Sequence, residues 1–305
     1  MDIFFPIARM PISVFAILGL GGTVGLLSGL FGVGGGFLMT PLLMMMGVPP
    51  AVAVASDTNQ IVAASTSGAL AHSKNKNVDF KLGFVILLGG LAGGSLGTLL
   101  VKVLRSLGNF DFVLNIAYVI MLLAVGGFMF FESINSLKKK DGHKEQPQGA
   151  PGGGRLMKSM PLKMYFEVSG IESSALVLFI LGILIGVLSA LMGVGGGFIM
   201  LPIMIYLIGI PTHKAVGTSI FVVIFTSINV TISQSSLNHT VDLMLAIFLL
   251  IGSSIGAQFG AMIGKKLKGE QLRVAFSVIV LLVMAKMAVS LVTTPSALIV
   301  LGGGH

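Results

Sequence analysis

The chain of 305 residues has no cysteine and no tryptophan, only three tyrosines, and few charges, with Asp, Glu, Lys and Arg together making 10% of it. Without cysteine there is no disulfide framework, no thiolate metal site and no cysteine nucleophile. The scarcity of charge excludes more. A soluble domain carries about 25% charged residues, and a chain this long with 54% hydrophobic residues cannot cover its surface with groups that water solvates. The formal charge of +8, from 19 basic and 11 acidic residues, would raise the question of nucleic acid in a soluble protein. Here the charges lie between apolar segments, so the expected partner is a lipid bilayer and not a nucleic acid.

Long apolar runs are what the sequence does contain. A spanning helix needs about 20 mostly apolar residues. Such runs occur at 12–31, 51–71, 82–101 and 112–131, and again at 174–192, 214–235, 243–263 and 273–294. Two shorter runs, 37–48 and 198–210, follow the clusters Gly32-Val33-Gly34-Gly35-Gly36 and Gly193-Val194-Gly195-Gly196-Gly197. Each is a thin crossing or a re-entrant segment. Residues 1–11 show no cleavable signal pattern. Residues 135–172 carry Lys138, Lys139, Lys140, Lys144, Arg155, Lys158 and Lys163 with Pro147, Pro151 and a glycine run, and read as a solvated linker. The expected organisation is a first membrane repeat over 1–134, a basic cytoplasmic linker over 135–172, and a second membrane repeat over 173–305.

The halves match. Leu27-Ser28-Gly29-Leu30-Phe31 and the first glycine cluster with Phe37 align with Leu188-Ser189-Ala190-Leu191-Met192 and the second cluster with Phe198. Pro41 then falls on Pro202, Gly47 on Gly209, and Gly89, Gly93 and Gly97 on Gly252, Gly256 and Gly260. Paired membrane halves interrupted by glycine at corresponding places are a signature of secondary transporters. Five crossings per half would invert the second half against the first, and four would leave the halves parallel. Cytoplasmic loops are enriched in Lys and Arg. With five crossings the linker, the loop of Lys74, Lys76 and Lys81, and the loop of Lys265, Lys266, Lys268 and Arg273 all fall inside, at the cost of Lys102 and Arg105 outside. The expected fold is an all-α polytopic membrane protein of two homologous halves, arranged as inverted repeats of five segments each, four long plus one short or broken helix after GVGGG.

The glycine clusters are not nucleotide loops, because Phe37 and Phe198 stand where the dinucleotide fingerprint needs glycine and no Lys-Ser or Lys-Thr follows. Four glycines in five residues break a helix, and a broken backbone at membrane depth is tolerated only inside protein or at a wet cavity. Unpaired N–H groups there suit an anion; the plainer alternative is close helix crossing. The Gly89-Gly93-Gly97 and Gly252-Gly256-Gly260 stripes, at helical spacing inside full spans, are expected to pack helices.

Apart from Lys214 and Arg273, which open their spans, the charged residues inside the spans are Asp57 and Lys286. An intramembrane ionisable residue is by default a functional hypothesis. Asp57 sits in Ser56-Asp57-Thr58-Asn59-Gln60, whose counterpart Thr218-Ser219-Ile220-Phe221-Val222 keeps the hydroxyls and loses the carboxylate. It could exchange a proton or bind a cation, or it could cap its helix; Lys286 snorkels or pairs. Ser65, Thr66 and Ser67, and then Thr226, Ser227, Asn229, Thr231, Ser233 and Gln234, recur at helical spacing and either line a polar path or join helices. His72 and His239 have no second ligand at helical spacing, so no metal site is expected, and no catalytic triad or carboxylate pair lies in the spans.

The paired Gly-Val-Gly-Gly-Gly-Phe clusters with Pro41 and Pro202, the string Ala215-Val216-Gly217-Thr218-Ser219, and the pairs Val78-Asp79 and Val241-Asp242 resemble the sulfite exporter TauE/SafE family of bacterial membrane permeases. The resemblance implies a multi-pass transporter of the inner membrane, with sulfite, sulfonates or related small oxyanions as substrate class. The expected function is a secondary transporter moving sulfite or an organosulfonate by alternating access, with an anion channel using the same glycine breaks as the alternative. An enzyme is not expected, nor a cofactor. The anion is expected between the breaks, on the backbone of Gly34, Gly35, Gly36, Gly195, Gly196 and Gly197 and on Ser28, Thr40, Ser189, Thr218, Ser219 and Asn229. Coupling to a proton or cation falls to Asp57, with Asn59 beside it.

Overall fold

A computed structural model of the chain describes residues 2–31, 36–74, 78–138, 162–264 and 269–292. The first half holds α1 (Val14–Phe31), α2 (Gly36–Met45), α3 (Pro50–Lys74), α4 (Phe80–Ser106) and α5 (Phe110–Lys138). The second holds α6 (Ala175–Met192), α7 (Gly197–Pro202), α8 (Thr212–Ser233), α9 (Leu243–Gly264) and α10 (Gly269–Val292). The protein is an all-α polytopic membrane protein, and five of the described helices are long and apolar enough to cross a bilayer. By contrast α2, with 10 residues, rises about 15 Å, half of a hydrocarbon core of about 30 Å. Pro202 lacks the N–H that would bond the Phe198 carbonyl, and beyond it α7 continues as the wider π-helical stretch Ile203–Ile208.

Each half opens with an antiparallel hairpin, β1 (Asp2–Phe5) with β2 (Met10–Ser13) and β3 (Lys163–Phe166) with β4 (Ile171–Ser174). Both turn through a left-handed residue at the same place, Arg9 at φ 55° and Gly170 at φ 70°. Residues 163–172, read from sequence as the end of a solvated linker, are therefore folded. Phe166 is buried in a core that α4 of the first half shares with α6, α7 and α8, which holds the hairpin down against the helices.

The halves join by exchanging equivalent contacts. α1 packs along α9, and α4 packs along α6. Both seams bring glycine against backbone: a Cβ at Gly25 would overlap the Ser253 carbonyl and one at Gly256 the Gly22 carbonyl, while Gly93 meets Ile183 and Gly186 meets Gly90 in the same way. Small residues of this kind let membrane helices approach to backbone contact, so these stripes pack helices as their spacing implies. Along each seam the numbering rises together, Leu18 beside Gly252 and Gly22 beside Gly256, then Ile86 beside Gly182 and Gly90 beside Gly186. These pairs run parallel.

The remaining equivalent pairs run antiparallel. Ser56, near the start of α3, accepts a bond from the backbone of Asp242, which follows α8; Thr218, near the start of α8, accepts one from Asp79, which follows α3. On α5, Gly126 faces Val280 and Leu281 of α10, whereas Asp111 and Asn115 share a cavity with Lys286 and Met287.

Gly93 and Gly127 separate packing from propensity, since nothing lies within 4 Å of a Cβ at Gly127. Gly93→Ala is expected to destabilise the protein by about 1–3 kcal/mol through overpacking, read as a lower melting temperature in detergent. Gly127→Ala should leave it unchanged or raise it, because alanine favours helix by up to about 1 kcal/mol over glycine.

Candidate functional site

The second glycine cluster breaks the chain between α6 and α7. Gly193, Gly195 and Gly196 all adopt left-handed backbone, at φ 72°, 68° and 77°, a region that glycine enters without steric cost. Of the first cluster, Gly32 to Gly35 lie outside the described residues, so the expectations for Gly34 and Gly35 do too; Gly36 opens α2 and is buried. The second break and the head of α2 meet one face of α3. Gly193 lies against the backbone of Val54, Gly36 against the side chains of Ile61 and Asp57, and Gly195 against Ile61. Val54, Asp57 and Ile61 are spaced by three and four residues, which sets them on a single helical face. The phenylalanines that follow the clusters, Phe37 and Phe198, stack with ring centroids 4.4 Å apart and planes 5° from parallel.

Among the described residues several polar atoms are buried without a hydrogen-bond partner: Asp57 Oδ1, Gln60 Oε1, Ser189 Oγ, Ser227 Oγ and Thr231 Oγ1. Ser227 Oγ is 3.0 Å from where a Cβ of Gly195 would stand, and Ser189 adjoins Gly196. Each unpaired buried group costs about 1–3 kcal/mol, and such groups in a native fold mark places a ligand, ion or water serves. Asp57, fully buried, accepts through Oδ2 from the Thr40 hydroxyl at 2.8 Å. Tyr118 of α5, also fully buried, lies against Thr40 and within electrostatic reach of Asp57, and its hydroxyl donates to the carbonyl of Met192, the last residue of α6.

Gly36, Thr40, Asp57, Ser189, Gly195, Gly196 and Gly197 thus gather at the breaks. Other residues expected there are engaged elsewhere. Thr218 accepts from the backbone N–H of Asp79, Ser219 donates to the Val216 carbonyl of its own helix, and Asn229 donates to the Leu91 carbonyl and to Ser95 Oγ of α4. Ser28 is half-buried in the last turns of α1, and Asn59 is half-buried on α3. Ser227 and Tyr118 join the site instead, whereas Gln60 donates through its amide to Ser253 Oγ of α9. Ser227 belongs to the polar row on α8, whereas nothing in the local sequence singles out Tyr118.

A family model described as Sulfite exporter TauE/SafE matches residues 17–287. The chain belongs to the sulfite exporter TauE/SafE family. It is a membrane transporter of that family. Among curated proteins it is 27% identical over 284 residues to the probable membrane transporter protein YunE of Bacillus subtilis (strain 168), covering 90% of this chain and 96% of the relative. It is 26% identical over 264 residues to a probable membrane transporter protein of Xylella fastidiosa (strain 9a5c), covering 85% and 88%. A shorter stretch of 73 residues, 23% of this chain and 16% of the relative, is 33% identical to sulfite exporter TauE/SafE family protein 5 of Arabidopsis thaliana. No solved structure matches the chain.

In this TauE/SafE transporter the Val78-Asp79 and Val241-Asp242 pairs prove to be the joints between halves. Asp79 accepts from Leu82 N–H through Oδ1, capping α4, and from both the backbone and hydroxyl of Ser169 in the β3–β4 turn through Oδ2. Asp242 does the same for α9 through Leu245 N–H and for the β1–β2 turn through Ile7 and Ala8 N–H. Each aspartate also gives its own N–H to a hydroxyl on the opposite half, Thr218 or Ser56. Removing one partner of such a buried, charged hydrogen-bond set costs about 1.5–3 kcal/mol per bond. Asp79→Ala and Asp242→Ala are expected to lower the melting temperature by similar amounts and to speed proteolysis of the hairpin each one holds, whereas Asp2→Ala should do neither.

Proposed function

We propose that the protein is a secondary transporter that moves a small oxyanion, with sulfite or an organosulfonate as the substrate class, across the cytoplasmic membrane by alternating access. The observation that carries the site is the pair of unpartnered buried hydroxyls, Ser189 and Ser227, flanking the left-handed glycines Gly195 and Gly196. Successive N–H groups in such a backbone form a concavity that favours anions. Among the described residues no Lys or Arg stands there to trap the anion, so binding rests on neutral donors and release stays easy.

Inverted five-plus-five repeats are the topology that goes with this reading. A two-fold axis along the membrane normal preserves helix direction, and one in the membrane plane reverses it. The antiparallel course of α3 against α8 and of α5 against α10 favours the in-plane axis. The N-terminal hairpin then lies outside, and the basic linker inside, in keeping with the positive-inside rule. Transport would rock helices of one half against the other around the glycine breaks.

Asp57 supplies the coupling. At low dielectric an anion beside a carboxylate is repelled by several kcal/mol, about 4 at 4 Å for an effective dielectric constant of 20. A proton on Asp57 removes that repulsion, so anion and proton occupy the protein together.

In proteoliposomes, counterflow of labelled sulfite is the expected result, and currents far above carrier turnover would establish a channel instead. Gly195→Leu, which forces a side chain against Ile61 and Ser227, should abolish counterflow while the protein still inserts. Ser227→Ala should weaken sulfite binding by about 1 kcal/mol, roughly fivefold, in a thermal-shift titration. Equal stabilisation of wild type and Ser227→Ala by sulfite would remove this hydroxyl from the site.

A further inference from the structure

A cavity of about 420 Å³ opens between the end of α2, the starts of α3 and α5, and the end of α10. Its lining is largely methionine and proline, Met44 and Pro41 among them, but three polar side chains face it: Asp111, Asn115 and Lys286. Gly47 on its wall touches Met10 of the N-terminal hairpin, so the cavity belongs to that side of the protein.

Its floor is next to the buried carboxylate. Pro41 lines the cavity, and the residue before it, Thr40, donates to Asp57. Asp111, Asn115 and Tyr118 are spaced by four and three residues on α5, one above another. Burial deepens along them: Asp111 is exposed, Asn115 half-buried and Tyr118 fully buried. The seven residues from Asp111 to Tyr118 rise about 10 Å. Tyr118 lies beside Thr40, whose hydroxyl donates to Asp57, so hydroxyls continue the line to the carboxylate. Lys286, left open by the sequence, stands at the mouth.

We propose that this cavity is the port through which protons from the N-terminal side reach Asp57, by way of Asp111, water held at Asn115, and the hydroxyls of Tyr118 and Thr40. The inference rests on the reading of Asp57 as the coupling group. Each hydroxyl accepts one proton and passes on its own, so the net change is one proton taken from the cavity and one carboxylate converted to carboxylic acid. The tyrosine hydroxyl cannot pass its proton to Thr40 while donating to Met192. Relay therefore releases the last carbonyl of α6, directly before Gly193, and ties protonation to the second glycine break.

Among the described residues, the other titratable or charged group near Asp57 is Asp242, beyond Ser56 at the head of α9; α2, α6 and α8 present hydroxyls and apolar side chains there. A metal cation in place of the proton would need several more oxygens, since Na⁺-like ions take about six, as Mg²⁺ and Ca²⁺ do, and Oδ1 faces Gly36 and Ile61.

The natural absence of cysteine makes the test direct. Asn115→Cys and, separately, Met44→Cys are reconstituted as full-length protein in liposomes and treated from one side with a membrane-impermeant thiol reagent. The protonated carboxyl of Asp57 is followed by infrared difference spectroscopy after a pH step, with Asp57→Asn as the blank. Labelling is expected only from the side of the β1–β2 hairpin, slowing the appearance of the carboxyl band on the order of 100-fold and leaving its final amplitude unchanged. Tyr118→Phe should slow it likewise. Labelling from the linker side, or an undiminished rate after both cysteines are labelled, overturns the port; a band absent at every pH, or one set by Na⁺ instead of pH, overturns the proton. No anion is present in this measurement, so loss of sulfite counterflow with a normal carboxyl band would strike the substrate reading alone.

Discussion

A backbone that leaves the helix inside a bilayer must find its hydrogen bonds within the protein, because the hydrocarbon offers none and each unpaired group costs several kcal/mol. The glycine breaks of this transporter exist under that constraint. The face of α3 that carries Val54, Asp57 and Ile61 meets Gly36 at the head of α2 and Gly193 and Gly195 of the second break, and Phe37 and Phe198 stack across the halves. From this need follow the glycine seams that bring α1 to α9 and α4 to α6 at backbone contact, and the two aspartate joints that hold each hairpin and each capped helix to the other half.

The joints show how a duplicated chain holds its halves in register. An isologous arrangement uses each contact twice, and Asp79 and Asp242 repeat one three-way set of bonds: a helix cap, a hairpin turn and a hydroxyl on the opposite half. These carboxylates satisfy N–H groups at segment ends, where capping belongs. Asp57 is built differently. It stands eight residues into α3 with one oxygen bonded to Thr40 and the other to nothing, and its counterpart in the second half is Ser219. Symmetry is kept where the fold is joined and given up at Asp57, where the second half carries a hydroxyl instead.

That asymmetry divides the centre of the protein into two unlike places. Near the second break the unpaired groups are neutral hydroxyls beside left-handed glycines, and near the first they include a carboxylate. Tyr118 touches both, through Thr40 on one side and the Met192 carbonyl on the other. In a low-dielectric interior a change of charge at one end of such a chain is felt at the other.

Much of this was legible in the chain itself. Low charge and long apolar runs determine a membrane protein, the matched glycine clusters determine a duplicated one, and the spacing of Gly89, Gly93 and Gly97 determines a packing face, because composition and periodicity act locally. Asp57 stood out for the same reason, as a carboxylate among apolar residues. The hairpin at 163–174 did not, since its strands are four residues each and a basic segment precedes them. Only the tertiary structure decided that Thr218 and Asn229 join helices while Ser227 faces a break, because hydroxyls and amides on one helix look alike until their neighbours are in place. It alone brought Tyr118 to Thr40 and Met192, residues separated by 78 and 74 positions (118 − 40 and 192 − 118). Which buried polar atoms find partners is set by the packing of helices far apart in sequence, and no local pattern carries that information.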